Sequence, residues 1–388
     1  MKVLFIIQGE GRGHLTQAIA LQQILRDAGH ELSAVLVGKA AGREVPCFFT
    51  EQIEAPVQPF LSPNLIYDTN KGSINIGKTI RTHLRRGGRY ARSLRAIDET
   101  VQNVKPDLIV NFYEVLGGFY NLLYRPAAPM VCVAHQYLLL HPQFPFPKNS
   151  WLDRQIVNFN TRLTALGAHK KLALSFRRFE QETGHGLTIV PPLLRRDVKN
   201  LRPATGDFAL VYMTHHSLSR QIIAWHKDNP ELPLHCFWDN PDAPEVQKID
   251  DTLTFHRLNG PRYLRMMEQC RALVTTAGFE SVCEAMYLGK PVLMVPVPKH
   301  FEQACNAIDG VLSGAGASAR TFDLSVLADF LPYYQSPQAE FQAWCGETSR
   351  LFVKHLEAVT TNADSVLNAV SVKAVTVDVQ KSFAPSAY

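Results

Sequence analysis

The stretch from Leu273 to Ala307, LVTTAGFESVCEAMYLGKPVLMVPVPKHFEQACNA, constrains the fold more than any other part of this chain. An apolar run ends at Val274 to Thr276, Gly278 breaks it, a helical segment closes at Gly289, and Pro291 to Val297 reads as a second strand before a polar loop. Strand, loop, helix and strand in unbroken succession build a ligand site. On such a helix Glu280 and Glu284 lie one turn apart on a shared face, while Val282, Cys283 and Met286 are placed to face a sheet. The free N–H groups and dipole at the helix start favour an anionic ligand such as a phosphate, and Gly278 lets it approach the backbone closely. A carboxylate deeper in the helix suits sugar hydroxyls. The bare pattern is equally compatible with Gly278 as a plain turn residue and Glu284 as a solvated helix charge.

The N-terminus has the same grammar. Val3 to Ile7 form an apolar strand, GEGRGH follows at Gly9 to His14, a helix runs through Leu25 to a capping Gly29, and Leu32 to Val37 is a second strand. A glycine-rich turn between strand and helix can cradle phosphates, but it occurs in many nucleotide-binding folds. A dinucleotide fingerprint would want a glycine where Arg12 or Gly13-His14 open the helix and an acidic residue after the second strand, where Gly38-Lys39 stand instead.

Both segments together resemble the GT-B glycosyltransferases, in particular the branch that holds the bacterial lipid-linked N-acetylglucosaminyltransferases and the plant and antibiotic glycosyltransferases. The resemblance is carried by Ala277-Gly278, Glu284, Gly289-Lys290-Pro291, Glu302-Gln303 and Asn306-Ala307, with the GxGxGH loop as a second match. It implies that Glu284 holds the ribose of a nucleotide, that Thr276, Ala277, Gly278 and Phe279 meet its phosphates, and that Glu302 and Gln303 hold the donor sugar. It also implies that Gly11, Arg12, Gly13 and His14 line the acceptor side, with His14 as a candidate base. In VNFYEV, Val110 to Val115, close relatives carry an aspartate where this chain has Phe112, so Glu114 is the other candidate and the choice between them stays open. His135 and Gln136 fall where such enzymes contact acceptor. Thr214, His215, His216 and Ser217 follow the first strand of the second domain, where relatives place a phosphate loop, and Leu258 lies in the stretch His256 to Asn259 expected to meet the base by its backbone.

The fold implied is α/β: two doubly wound Rossmann-like domains facing across a cleft. A length of 388 residues and a 46% hydrophobic share suffice for two cores. Strands at Leu108 to Phe112 and Met130 to Ala134 continue the first domain, and the proline-rich, basic segment Val190 to Pro203 reads as a linker. A second series follows at Phe208 to Met213, Leu234 to Trp238, Thr252 to His256, Ala272 to Thr276 and Pro291 to Val297. The expected division is 1–200 for the acceptor-side domain and 206–340 for the nucleotide-sugar domain. Residues 341–388 then form a C-terminal helix and tail, the helix crossing back to the first domain as the resemblance implies.

Seven cysteines, scattered and never in a CxxC, read as reduced core thiols and argue against a zinc site or disulfide framework. MKVLFII is too short an apolar run for a signal peptide, and no stretch approaches membrane-spanning length, so a cytoplasmic protein is expected. Arg81 to Arg95, RTHLRRGGRYARSLR, holds six arginines and no acid. It reads either as a solvated basic helix or as a site for an anionic acceptor or the inner face of a membrane. Pro142 to Trp151, PQFPFPKNSW, either meets lipid headgroups or covers a core edge. Nucleic acid is disfavoured, because the net charge is only +5 and no nucleic-acid motif accompanies the arginines.

The function expected is transfer of a sugar from a nucleotide diphosphate donor, a UDP-sugar by the resemblance, to an acceptor hydroxyl, with a lipid-linked acceptor as one option. No Asp-x-Asp occurs, so a metal-free route and no cofactor beyond the donor are expected. Retaining relatives carry a glutamate eight residues before Glu284; Thr276 stands there, which favours inversion. A UDP-sugar 2-epimerase of the same fold and a non-catalytic nucleotide-binding module are the alternatives.

Overall fold

The computed structural model describes residues 1–63, 87–148, 150–179, 186–213, 218–240 and 242–361. It contains two seven-stranded sheets. The first runs in the order β3-β2-β1-β4-β5-β6-β7 and is parallel throughout. Its strands are β1 Lys2–Gln8, β2 Glu31–Lys39, β3 Val57–Leu61, β4 Leu108–Phe112, β5 Met130–Ala134, β6 Lys170–Leu174 and β7 Leu187–Val190. The second has the order β10-β11-β9-β8-β12-β13-β14. It is built from β8 Ala209–Met213, β9 Leu234–Trp238, β10 Val246–Lys248, β11 Leu253–Arg257, β12 Ala272–Thr275, β13 Val292–Met294 and β14 Gly316–Ser318. Only its edge strand β10 is antiparallel.

Both sheets are covered on both faces, which is why their central strands are apolar without alternation. In β1, Val3, Phe5 and Ile7 enter one core, Leu4 and Ile6 the core on the opposite face, and all five are fully buried. In each sheet the order reverses beside the first strand of the domain, β1 or β8, and a crevice opens beyond the strands' carboxyl ends at that point. The loops after β1 and β12 therefore look toward one another.

The first core extends across the domain junction. Leu193, Leu194 and Val198 of the connecting segment and Phe341, Trp344 and Phe352 from the end of the chain join residues of both sheets in a single apolar cluster. Helix Gln338–Gly346 and a following helix over 348–361 lead back to the first domain. Trp344 donates its indole N–H to the Ser175 carbonyl at 3.0 Å, and Thr348 Oγ1 donates to the Pro192 carbonyl at 3.2 Å. Farther along, Glu357 pairs with His30 at 3.1 Å. Gly289 closes helix Phe279–Tyr287 with φ +70°, and Lys290 is buried where its ammonium donates to the carbonyls of Ala204 and Cys270, at 2.5 and 2.8 Å. The Gly-Lys-Pro triplet thus fastens helix Phe279–Tyr287 to the connecting segment.

Candidate active site

The loop after β1 turns at Gly11, φ +76°, and delivers His14 in the first turn of helix Gly13–Asp27. Gly9 is needed for a close backbone crossing: its N–H donates to the Gly38 carbonyl at 2.7 Å, and a Cβ there would lie 2.6 Å from that oxygen. Arg12 lies over the Phe48 ring at 4.8 Å. His14 is buried and stacks on Tyr113, ring centroids 5.7 Å apart. Tyr113 itself holds φ +58°, a left-handed conformation that costs a side-chain-bearing residue about 1–3 kcal/mol and concentrates at functional sites.

Two residues that the sequence gave no reason to single out for catalysis complete this corner. Gln17, one turn on from His14, brings its Oε1 to 3.1 Å from His14 Nδ1, and its Nε2 donates to Glu280 Oε1 at 2.6 Å. Because the Gln17 amide nitrogen donates to Glu280 Oε1, its carbonyl is the group that faces the imidazole. Nδ1 of His14 therefore carries the proton, and Nε2 is left as the basic nitrogen. Desolvation lowers the His14 pKa to about 4, against a smaller upward pull from Gln17, so the ring is neutral at neutral pH.

Glu280 and Glu284, one turn apart, have diverging partners. Glu280 reaches the first domain; burial raises its pKa to about 8, and its Oε2 is enclosed without a hydrogen-bond partner. Glu284 Oε1 accepts from Arg195 Nε and Nη2, at 3.0 and 2.5 Å. Arg195 comes from the connecting segment, and its pairing with Glu284 was another relationship absent from the sequence reading. Beside the pair lies the Tyr263 hydroxyl, buried and without a hydrogen-bond partner.

The turn ahead of this helix puts a residue other than glycine in the left-handed region. The left-handed residue is Ala277, φ +59°, whereas Gly278 is the extended N-cap with φ −69°. Ala277 is tolerated because Asn306 Nδ2 holds its carbonyl at 3.0 Å. Thr276 is buried beneath the turn. Phe279 faces the other domain, stacked on His135 with centroids 3.9 Å apart.

His135 and Gln136 begin the 3-10 turn His135–Leu140 after β5. His135 Nδ1 donates to the Leu174 carbonyl at 2.8 Å, which leaves Nε2 as a buried acceptor without a hydrogen-bond partner. Gln136 Nε2 donates to Glu302 Oε1 at 3.0 Å, and burial raises the Glu302 pKa to about 7. Its neighbour Gln303 is turned inward, accepting from the Val297 N–H at 2.8 Å, so the two members of this pair have different surroundings. Leu258 sits at the end of β11, its N–H donating to the Trp238 carbonyl at 3.2 Å. Thr214, His215, His216 and Ser217 lie outside the described residues, as do residues 81–86 of the arginine-rich stretch.

Glu114 caps a helix through one carboxyl oxygen, and its other, Oε2, is buried without a hydrogen-bond partner. It is fully buried as the N-cap of helix Val115–Tyr124, accepting from Leu116 N–H at 3.0 Å and from Ser62 Oγ at 2.5 Å. It packs under Gly38, where a Cβ would come within 2.7 Å of the carboxyl carbon. Desolvation raises its pKa to about 7. His14 and Glu114 make no hydrogen bond with one another, and the nearby Glu10 carboxylate adds to the upward pull on the Glu114 pKa.

A pair of facing doubly wound domains, with a histidine from one and a glutamate-bearing helix from the other at their shared crevice, is the architecture of a GT-B transferase. The model of glycosyl transferase family 1 matches residues 1–334, and the chain belongs to that family; it is a glycosyltransferase. An uncharacterised glycosyltransferase of Methanosarcina acetivorans is 25% identical over 348 residues, 82% of this chain and 83% of the relative. Among solved structures, the spinosyn forosaminyltransferase superposes with TM-score 0.59 at 15% identity, covering 93% of this chain and 99% of its own. The kitacinnamycin glycosyltransferase gives 0.57 at 15% identity over 95% and 98%, and Acinetobacter baumannii MurG 0.54 at 14% over 92% and 99%. At such identities the structural likeness speaks for the fold.

Proposed function

We propose that this protein is an inverting, metal-independent transferase that moves a sugar from a uridine diphosphate donor to an acceptor hydroxyl, with His14 as the base. The observation that carries the reading is the hydrogen-bonded series His14, Gln17, Glu280, which leaves a neutral imidazole with Nε2 free to take a proton. In the reaction His14 Nε2 accepts the hydroxyl proton as that oxygen bonds to the anomeric carbon from the face opposite the leaving group. The anomeric C–O bond breaks, and the nucleoside diphosphate departs with its electron pair. Glu284 holds the ribose hydroxyls, and the turn Thr276 to Phe279 at the helix N-terminus meets the diphosphate, offering N–H groups to the developing charge. Glu302 and Gln136, already hydrogen-bonded across the cleft, are placed for sugar and acceptor hydroxyls. The absence of Asp-x-Asp from the sequence supports departure without a metal, and Thr276 at the position of the retaining glutamate supports inversion.

A lipid-linked acceptor is one form of this reading and a small soluble alcohol another. The test is a thermal-shift panel with UDP, UDP-sugars, GDP-mannose and dTDP-sugars, with and without EDTA, because a ligand bound by the native state raises Tm. A rise with a uridine donor that survives EDTA supports the proposal, and the donor found then enters an acceptor screen with anomeric configuration read by NMR. A rise that EDTA abolishes overturns the metal-free route, and no rise with any nucleotide overturns the donor assignment. Inversion at the sugar's ring C2 without an acceptor would identify an epimerase instead.

A further inference from the structure

Helix Trp151–Leu163 is built inside out. Its inward positions include buried Asn158 and Thr161, whereas Trp151, Leu152, Ile156 and Phe159 are 72%, 63%, 43% and 63% exposed. At 100° per residue those four occupy one arc of roughly 140°, its centre about 120° around the helix from buried Asn158 and Thr161. A helix that merely covers a core turns its apolar arc inward, so this arc is arranged for contact with something else. The neighbouring helix Val115–Tyr124, joined to it through Asn111, whose Nδ2 donates to the Thr164 carbonyl at 2.8 Å, adds Leu123 at 64% exposure.

Charge selects the occupant. Exposed Lys148 precedes the helix, Arg162 lies in its last turn and Arg125 ends the neighbouring helix, against a single acid, Asp153, in the helix itself. Helix Gly87–Val104, joined to Val115–Tyr124 by the Tyr120 hydroxyl donating to Asp98, carries exposed Arg89, Arg92 and Arg95 with one exposed acid, Glu99, on that face. A convex apolar arc with a tryptophan and flanking cations fits the headgroup region of an anionic bilayer, where the rings enter the acyl boundary and the cations stay at phosphate level. The inward side of helix Trp151–Leu163 adjoins the cleft. Arg154, on the same helix, lies over the Phe146 ring at 4.1 Å, and Phe146 stacks on Phe301 at 6.2 Å, next to Glu302.

We propose that the outward arc of helix Trp151–Leu163 docks the protein on an anionic lipid surface, which leaves the cleft one helix diameter, roughly 10 Å, from that surface. This goes beyond the transferase reading and is tested apart from it. The full chain is sedimented with vesicles of phosphatidylcholine, with and without phosphatidylglycerol, at low and high salt. Binding should require the anionic lipid, weaken with salt, and fall by about tenfold or more in W151E/F159E, whose response to UDP in the thermal shift should match the parent. In the unsubstituted protein, brominated lipid should quench a component of tryptophan fluorescence that W151F lacks. That measurement holds even if the double variant folds poorly. Parent protein that ignores anionic vesicles, a double variant that binds them as well as the parent, or a parent dimer that W151E/F159E converts to monomer would each overturn the proposal, the last by giving the arc to a second copy of the chain.

Discussion

Gln17 donates to Glu280 across the cleft at 2.6 Å while its carbonyl faces His14 at 3.1 Å, so the tautomer of a first-domain histidine is set by a second-domain glutamate. When the domains part, the Gln17 amide loses the partner that orients it. On the proposed mechanism, the base is correctly prepared only in the closed enzyme, which couples proton abstraction to closure.

H14A should lower kcat by about 10²- to 10⁴-fold, the usual worth of a positioned general base, with donor affinity in the thermal shift unchanged. E280A should lower kcat less, by roughly tenfold, since it costs about one oriented hydrogen bond. E280Q keeps an oxygen that can accept from Gln17 and should recover most of that loss. An H14A enzyme with an unaltered transfer rate would remove His14 from the mechanism.

For Glu114 the cap geometry predicts a stability effect. E114A should lower Tm by removing an N-cap worth about 1 kcal/mol and leaving the Ser62 hydroxyl unpaired, with little change in kcat of the folded enzyme. G38A should also destabilise, because its Cβ would lie 2.7 Å from the Glu114 carboxyl carbon and 2.9 Å from Ser62 Cβ. Loss of kcat by two orders of magnitude in E114A at unchanged Tm would make Glu114 the base instead.

The Arg195–Glu284 pair links the connecting segment to the helix proposed to hold the ribose. E284A should raise the donor KM by roughly 10- to 100-fold, the worth of hydrogen bonds to a charged group, and leave Arg195 without its partner. R195A leaves Glu284 as a buried carboxylate without its cation and should cost about 3–5 kcal/mol, seen as a lowered denaturation midpoint. R195K, which cannot reproduce the two-nitrogen contact, should fall between parent and R195A.

Closure should depend on pH. Burial between the domains raises the pKa of Glu280 to about 8 and of Glu302 to about 7, whereas solvation in an open form returns both toward 4.5. The closed form then binds more protons over that interval, so its stability is full below about pH 4.5 and is lost as pH rises through 7 and 8. The radius of gyration from small-angle scattering should increase over that range, and E280Q/E302Q should flatten the increase. A pH-independent radius in the parent would refute the coupling.

The central strands were legible because burial on both faces writes them as apolar runs: Leu108–Phe112, Met130–Ala134 and Leu234–Trp238 fall where the sequence placed them. The strands not foreseen were chiefly edge or near-edge strands, where that signal fades. β3 contains Pro59, tolerable because only β2 pairs with it; β10 is three residues of mixed polarity, and β14 is Gly-Ala-Ser. The glycine-rich turns and Glu284 were visible as local patterns. The partners were not: Gln17 and Glu280 are 263 residues apart, and Arg195 and Glu284 are 89 apart. No periodicity encodes such meetings, since they depend on how two separately folded sheets come to rest on one another. Ala277 taking the left-handed position beside an available Gly278 was hidden for a related reason: its support comes from Asn306, a full strand and loop away.

The return of the chain's last helices to the first domain means that the polypeptide crosses the gap between the two halves twice, once through Arg195 to Ala204 and once through Gln338 to Thr348. A double crossing behaves as a door hung on two pins. Any opening should therefore be confined to one swing, with twisting and sliding resisted, so that the cleft residues would reunite along a fixed arc. Cutting the second pin, by cleavage between Tyr334 and Gln338, would leave each sheet intact yet should turn a guided swing into a loose tether, slowing every step that needs both halves at once.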